Sequence, residues 1–180
     1  MNLPKSKPFL KFIIIAIVLY SIWEACYKLW IHPEQTLELL IVQNIKVIAN
    51  FIMIILGYNL IDPSQLYEQS RTLGIDGTHG LYIADSCSGL DLFALFSIFI
   101  IAYPGSIKNK FIFIPFGLLI IHMANIIRIV ALCLVTLYAP ETLDFNHHYT
   151  FTIFVYAIIF ILWIVWVNKY TKTDKIVIKE

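Results

Sequence analysis

The chain has 180 residues, of which 59% are hydrophobic and 14% are charged, and its formal net charge is +1. A mean hydropathy of +0.79 excludes a water-soluble domain that buries its apolar side chains in one core. The near-neutral charge, without a concentrated basic patch, gives no reason to expect a nucleic-acid partner. We therefore predict an integral membrane protein in contact with a lipid bilayer.

Five apolar runs follow one another along the chain. They predict an all-α, polytopic transmembrane bundle of about five membrane helices with a short extracytoplasmic loop region. The runs are Phe12–Leu29, Lys46–Ile61, Leu90–Tyr103, Phe111–Tyr138 and Phe151–Val167. The second and third are short for the roughly 20 residues that a spanning helix needs, so we expect them to be tilted or partly interfacial.

The first run carries Glu24 and Lys28 one helical turn apart and lacks a small-residue cleavage site. We interpret it as a retained helix rather than a signal peptide. We predict a single integral membrane domain over residues 1–180, with a catalytic core at about 44–168 and an accessory N-terminal helix at 12–30.

Lysines in short loops indicate the cytoplasmic side of a membrane protein. Lys108 and Lys110 follow the third run, and the tail carries four more, so both segments are predicted to be cytoplasmic. The tail lysines are Lys169, Lys172, Lys175 and Lys179. The acidic segments Asp62–Ser86 and Ala139–Thr150 are expected outside, which places Cys87 at the outer face.

The orientation of the N-terminus stays open between two alternatives. Lys5, Lys7 and Lys11 favour a cytoplasmic N-terminus, but two full crossings before the outer segment Asp62–Ser86 would require an outer one. Either Glu38–Tyr58, which contains several polar residues, is partly interfacial or re-entrant, or the N-terminus is outside.

A thiol stands at the expected start of the third helix. Cys87 is followed by Ser88 and Gly89, and the free N–H groups and positive dipole end of a helix stabilise a thiolate there. Gly89 is expected to let a substrate backbone approach closely. Asp91, four residues after Cys87, is a candidate partner for an arginine across the bundle. The other cysteines, Cys26 and Cys133, are interpreted as inert.

An arginine lies inside the fourth apolar run. Placing Arg128 at a helix centre costs about 2.5–3.5 kcal/mol on insertion scales, so its presence indicates function. Asn125 precedes it by three positions and shares its helix face. His147 and His148 follow in the outer loop at the entry to the last helix. A thiol, a guanidinium and an imidazole in one half of the membrane predict Cys–His nucleophilic chemistry, with the arginine stabilising developing negative charge.

With these residues the sequence resembles the exosortase/archaeosortase family of membrane-embedded cysteine transpeptidases, in a compact bacterial form. The family pattern is a Cys-Ser-Gly segment, an Asn-x-x-Arg helix and a histidine before the last helix, which read here as "IADSCSGL", "NIIRIV" and "NHHYTF". The resemblance implies cleavage of C-terminal sorting signals, each a short motif followed by a transmembrane helix and a basic tail. The substrates would be exported proteins, cut at the outer face of the cytoplasmic membrane.

The resemblance also implies roles for individual residues and a thioester intermediate. The expected catalytic residues are Cys87, Arg128 and either His147 or His148, and the expected supporting residues are Asn125, Ser88, Gly89 and Asp91. No metal and no organic cofactor is called for.

Two other classes of protein were weighed. A non-enzymatic membrane subunit or small-solute carrier would use Arg128, Asp91 and Glu24 as a buried ion pathway, although the sequence lacks the internal symmetry that is common in carriers. A thiol redox enzyme would need a resolving cysteine, and neither Cys26 nor Cys133 is an obvious one.

Overall fold

The computed structural model describes residues 6–170 and confirms an all-α, polytopic membrane protein. Its helices are α1 (Ser6–Cys26), α2 (His32–Glu34), α3 (Thr36–Ile55), α4 (Leu90–Ala102), α5 (Ile107–Tyr138), α6 (Leu143–Phe145) and α7 (Phe151–Val165). Single π-helical turns extend α1, α6 and α7, at Tyr27–Ile31, Asn146–Thr150 and Trp166–Tyr170. A small antiparallel hairpin, β1 (Thr72–Leu73) and β2 (Leu81–Tyr82), lies between α3 and α4.

Within the described residues, four helical stretches are long and apolar enough to cross a membrane. They are Phe9–Glu34, Thr36–Ile55, Ile107–Tyr138 and Pro140–Tyr170. The apolar helix α4 has only 13 residues, in line with the short third run. Lys5 and the tail lysines Lys172, Lys175 and Lys179, which entered the predicted topology, lie outside the described residues.

The second predicted run was misplaced. The helix begins at Thr36 rather than Lys46 and ends at Ile55 rather than Ile61. Polar side chains made the first half of this helix look like a loop, but in the fold they form hydrogen bonds. Gln43 donates to a backbone carbonyl of the loop before β1 at 2.9 Å, and Lys46 donates to another carbonyl in the same loop.

The course of α1 follows from contacts at its two ends. Near its start, the Phe12 ring packs edge-on against Phe99 and Tyr103 at the end of α4, with ring centroids 5.4 Å apart in each pair. Beyond its other end, His32 Nδ1 lies 3.5 Å from a carboxylate oxygen of Asp85, just before α4. Helix α1 is therefore antiparallel to α4, and its N-terminal end lies on the side of the predicted cytoplasmic loop.

Helix α3 packs against the hairpin and the second half of α5. Near its start, Glu38 faces Arg71 beside β1. After its end, the Tyr58 hydroxyl lies 2.9 Å from the hydroxyl of Tyr138, where α5 ends. The end of α3 thus lies beside the end of α5, and the orientation of the N-terminus stays a prediction.

The buried apolar side chains form two clusters. One joins α3, the hairpin and the second half of α5, and it includes Cys87 itself. The other joins α4, the first half of α5 and α7, with Phe96, Ile100, Phe113, Ile121, Ile159 and Trp166 among its members. Helix α5 belongs to both clusters, so it is the element around which α3, α4 and α7 pack.

The packing of Phe96 of α4 against α5 depends on a glycine. A Cβ placed on Gly117 would lie 2.2 Å from Cζ of Phe96, which is fully buried. Small residues allow membrane helices to approach closely. This approach brings the second half of α5 against the turn that precedes α4.

We predict that Gly117→Ala destabilises the bundle. The added methyl group forces the buried Phe96 ring to move, and overpacking of this kind costs about 1–3 kcal/mol. Thermal unfolding in detergent, followed by circular dichroism, measures the change. Leu119→Ala, at an exposed position of the same helix, is the control. Equal unfolding temperatures for Gly117→Ala and the wild type would contradict the prediction, and a shorter side chain in the double variant Phe96→Leu/Gly117→Ala is expected to restore part of the loss.

Candidate active site

The predicted thiol, guanidinium and imidazole meet on the side of the bundle where α4 begins. Cys87 Sγ lies 3.0 Å from Nε2 of His147, and Arg128 Nη2 donates to the same sulfur at 3.9 Å. Cys87 is 3% exposed and Arg128 is 7% exposed, while His147 is half-buried. Three distant parts of the chain therefore form one contiguous site with a largely buried sulfur.

The cysteine lies in a tight turn before α4 rather than in the helix itself. A single 3₁₀ turn spans Asp85–Cys87, and the Cys87 N–H donates to the Ala84 carbonyl at 2.8 Å. Ser88 is fully buried, and its hydroxyl accepts from the N–H of Leu90, the first residue of α4, at 3.3 Å. The turn thus fixes the backbone on both sides of the sulfur.

Asn125 holds this turn from α5. Its fully buried amide donates to the carbonyl of Cys87 at 2.9 Å and to that of Ser88 at 3.3 Å. Gly89 has φ +88°, and a Cβ there would lie 3.0 Å from Asn125 Nδ2. The glycine therefore serves the left-handed turn and the close contact with Asn125. The space that we expected a substrate backbone to use is filled by the asparagine.

His147 reaches the sulfur from a π-helical turn. The histidines were expected in an outer loop, but residues 140–170 form a continuous helical stretch that includes this turn, Asn146–Thr150. The carbonyl of His147 accepts from Arg128 Nη2 at 3.4 Å and from the Thr152 hydroxyl at 3.0 Å. Arg128 lies ten residues before the end of α5, about 15 Å from it. The returning helix brings His147 to the same depth.

Two predicted site residues lie away from this contact. The His148 side chain is 59% exposed, and its Nδ1 lies 2.9 Å from the carbonyl oxygen of Asp144. Asp91 is exposed on the first turn of α4 and forms no ion pair with Arg128 within the described chain, so that predicted pairing was wrong. The left-handed Gly89 separates Cys87 from α4, so a four-residue spacing does not place both on one helix face.

The three charged side chains that the carrier alternative would use do not lie close together. Glu24 forms an ion pair with Lys28 at 2.9 Å on α1, Asp91 is exposed, and Arg128 is buried against the cysteine. All three cysteines are free thiols in the structure. These positions offer no continuous pathway of buried charges.

Some hydrogen-bonding capacity in the site is unused. In the described part of the chain, Arg128 Nε and Asn125 Oδ1 are buried and have no hydrogen-bond partner. Buried polar atoms are normally paired, and unpaired ones in a native structure call for an explanation. A donor and an acceptor are thus left for a bound ligand on the two side chains that contact Cys87.

A second buried polar cluster adjoins the cysteine turn, and the sequence reasoning missed it. Arg71 lies in the segment Asp62–Ser86 that we interpreted only as acidic, and Glu38 lies in a segment that we interpreted only as polar, yet they are 3% and 0% exposed. The signal in the sequence that could have indicated this cluster was Arg71 itself, the single arginine of the acidic segment Asp62–Ser86. Ligand atoms of His32, Glu38 and Asp85 lie within 4.8 Å of one another, a spacing that could hold a metal ion.

The comparison with known families covers most of the chain. The family model described as transmembrane exosortase matches residues 31–167. The matched range contains Cys87, Asn125, Arg128 and His147, and it omits α1. No curated protein and no solved structure matches the chain.

We predict that Asn125→Leu destabilises the protein more than the same change at Asn44. The leucine leaves two buried carbonyls without their donor, at about 1–3 kcal/mol for a buried group. Asn44 makes a single, exposed contact with His122 at 2.7 Å, so Asn44→Leu is the matched control. Chemical unfolding in detergent gives both values. A loss at Asn44 as large as that at Asn125 would argue against a special role for the two carbonyl contacts.

Proposed function

The chain belongs to the transmembrane exosortase family, and we propose that it cleaves the C-terminal sorting signals of exported proteins with Cys87 as nucleophile. The observation that carries this proposal is the 3.0 Å contact of Cys87 Sγ with His147 Nε2, beside a buried guanidinium. A nucleophile within hydrogen-bond reach of a base is the arrangement that covalent catalysis requires.

The first step forms the bond between sulfur and substrate. His147 Nε2 accepts the thiol proton, and Cys87 Sγ attacks the scissile carbonyl carbon, which becomes tetrahedral and carries its negative charge on oxygen. The electron pair of the carbonyl double bond moves to that oxygen. The 3.0 Å contact supports direct proton transfer without an intervening water.

Arg128 is the group that stabilises the oxyanion. Its Nη2 already contacts the sulfur, and its buried Nε has no hydrogen-bond partner in the described structure, so a donor is free for the new negative charge. A preorganised charged donor in a site shielded from water stabilises such charge strongly. The contact of Arg128 with the His147 carbonyl keeps base and oxyanion donor in a fixed relation.

The second half of the reaction releases the two products. The tetrahedral intermediate collapses, the carbon–nitrogen bond breaks, and His147 returns the proton to the departing amine, which leaves a thioester on Cys87. Water or an acceptor nucleophile then attacks the thioester carbonyl and passes its proton to His147. Collapse of this second tetrahedral intermediate breaks the carbon–sulfur bond, and His147 returns the proton to the sulfur. Transfer to an acceptor, rather than hydrolysis, is what the family resemblance implies.

His147 is assigned as the base and His148 is not. His147 contacts the sulfur, whereas His148 Nδ1 lies against the backbone carbonyl of Asp144, one helical turn earlier. The carbonyl of His147 is also anchored by two donors, Arg128 and Thr152. These contacts support a fixed position for one imidazole and a solvent-facing position for the other.

The site is assigned to the outer side of the cytoplasmic membrane. Lys108 and Lys110 lie in the first turn of α5, just after the short loop at the end of α4 that is distant from Cys87. Short loops that carry lysine face the cytoplasm, which leaves the beginning of α4 and the cysteine on the outer side. Exported substrates would meet the site there after translocation.

We predict that Cys87→Ala abolishes processing of a co-expressed exported protein that ends in a short motif, a hydrophobic helix and a basic tail. Without sulfur no thioester forms, so the substrate is expected to keep its full length on an immunoblot. Cys26→Ala removes an exposed cysteine from α1 and serves as the control that retains processing. Full processing by membrane-inserted Cys87→Ala would remove the basis of the proposed function.

We predict opposite outcomes for the two adjacent histidines. His147→Ala is expected to slow processing by about 100-fold or more, because general acid–base catalysis contributes about 10²–10⁴-fold. His148→Ala is expected to stay within about threefold of the wild type, since its ring lies away from the sulfur. Single-turnover cleavage in detergent measures both rates, and the reverse ranking would refute the assignment of the base.

A further inference from the structure

Arg71 is a buried cation that the proposed reaction does not use. It is 3% exposed and lies directly before β1, beside the turn that carries Cys87. A buried guanidinium is costly unless its donors meet acceptors. The positions of those acceptors therefore indicate what the residue holds in place.

The first set of contacts ties Arg71 to the backbone that leads to the cysteine. The Arg71 carbonyl accepts from the N–H of Ile83 at 3.0 Å, which continues the ladder of the hairpin by one residue. Its side chain returns to the same residue, because Nη1 donates to the Ile83 carbonyl at 3.5 Å. The exit of β2 is thus held at both the N–H and the carbonyl of Ile83.

The second contact reaches the cysteine turn itself. Arg71 Nη1 lies 2.5 Å from Oδ1 of Asp85, the first residue of the 3₁₀ turn that ends at Cys87. The backbone carbonyl of Asp85 accepts from the N–H of Ser88 at 3.0 Å. The charged hydrogen bond from Arg71 therefore fixes Asp85, and the backbone carbonyl of Asp85 closes the turn that carries Cys87.

The remaining donors of Arg71 connect the turn to the rest of the bundle. Nη2 faces Oε2 of the fully buried Glu38 in α3 at 3.8 Å, and Nε lies 4.0 Å from a carboxylate oxygen of Glu68. Glu38 in turn accepts from the Tyr27 hydroxyl at the end of α1. The planar guanidinium has donors that point in different directions, so it can bridge these acceptors where a single ammonium group cannot.

We propose that Arg71 is a positioning residue for the nucleophile: through Asp85 and Ile83 it holds the turn Asp85–Cys87 so that Sγ faces His147 and Arg128. The proposal rests on the proposed function of Cys87. The same guanidinium places positive charge beside the two acidic side chains of the group His32, Glu38 and Asp85.

Two variants separate positioning from folding. Arg71→Lys keeps the buried positive charge opposite Glu38 but loses the bridge, and Asp85→Asn keeps the size of the side chain while weakening the contact with Arg71. Both are expected to lower kcat for processing by about 10- to 100-fold with KM nearly unchanged, because a misplacement of about 1 Å at a reacting group can cost about 100-fold.

Lys46→Gln is the matched control. Lys46 is also a cation that anchors the same loop, since its ammonium group donates to the Gln69 carbonyl, but it does not contact the hairpin exit or the cysteine turn. The control is expected to keep kcat within about twofold of the wild type. If Lys46→Gln lowers kcat as much as Arg71→Lys does, Arg71 acts only by anchoring the loop, and the proposal is overturned.

A measurement that needs no substrate tests the geometry directly. The rate of Cys87 alkylation by iodoacetamide is compared with and without His147→Ala, in the wild type and in Arg71→Lys. We expect His147→Ala to change the alkylation rate about tenfold in the wild-type background. In the Arg71→Lys background the same substitution is expected to change it less than about twofold, which is the result that a double-mutant cycle gives for coupled residues. An unchanged coupling between Cys87 and His147 in Arg71→Lys overturns the proposal, even where Cys87→Ala abolishes processing and the proposed function stands.

A metal ion is the competing explanation of the same cluster. Processing by the wild type is therefore also measured after treatment with a chelator and after addition of Zn²⁺ or Mg²⁺. The proposal expects no change in either case. Loss of activity with the chelator and its return with metal would assign His32, Glu38 and Asp85 to a metal site and overturn the positioning role of Arg71.

Discussion

A guanidinium inside an apolar bundle must find acceptors, and the position of Arg128 therefore constrains everything around it. Its acceptors are the sulfur of Cys87 and the carbonyl of His147, which belong to the turn before α4 and to the helical stretch that contains α7. Helix α5 carries the arginine and packs in both apolar clusters. The requirement to pair one buried cation thus brings three separate parts of the chain to one point.

The two buried polar clusters are built differently. Around Arg71, the buried atoms Nη2 and Glu38 Oε2 face each other as an ion pair at 3.8 Å without a hydrogen bond, and Asp85 accepts the closest donor. Around Arg128, the acceptors are a sulfur and a carbonyl, and Nε stays without a hydrogen bond. A cluster with charges of both signs is suited to hold backbone in place. A cluster with a cation, a sulfur and a spare donor is suited to receive negative charge.

The sequence was informative wherever a residue type was out of place. Arg128 in an apolar run and Cys87 before one could be recognised because polar groups in membrane helices are costly, and the family match agrees with the resemblance that these residues carry. The bounds of α3 could not be recognised, because Gln43 and Lys46 look like loop residues until their partners, the carbonyls before β1, are known. Glu38 and Arg71 could not be recognised for the same reason. Each is costly as a buried charge unless the other lies beside it, and the sequence does not show that they meet.

The distinction between His147 and His148 shows what periodicity alone leaves open. Adjacent residues on an α-helix point about 100° apart, so only one of two neighbouring histidines can face the sulfur. The sequence alone does not indicate which of the two it is. The register is set by the turn Asn146–Thr150, in which the Phe151 N–H bonds to the Asn146 carbonyl, five residues back, in place of the usual four. Such turns are rare and recur at functional sites. The turn depends on contacts from other helices, Arg128 above all, so the choice of histidine is a property of the assembled bundle rather than of the local sequence.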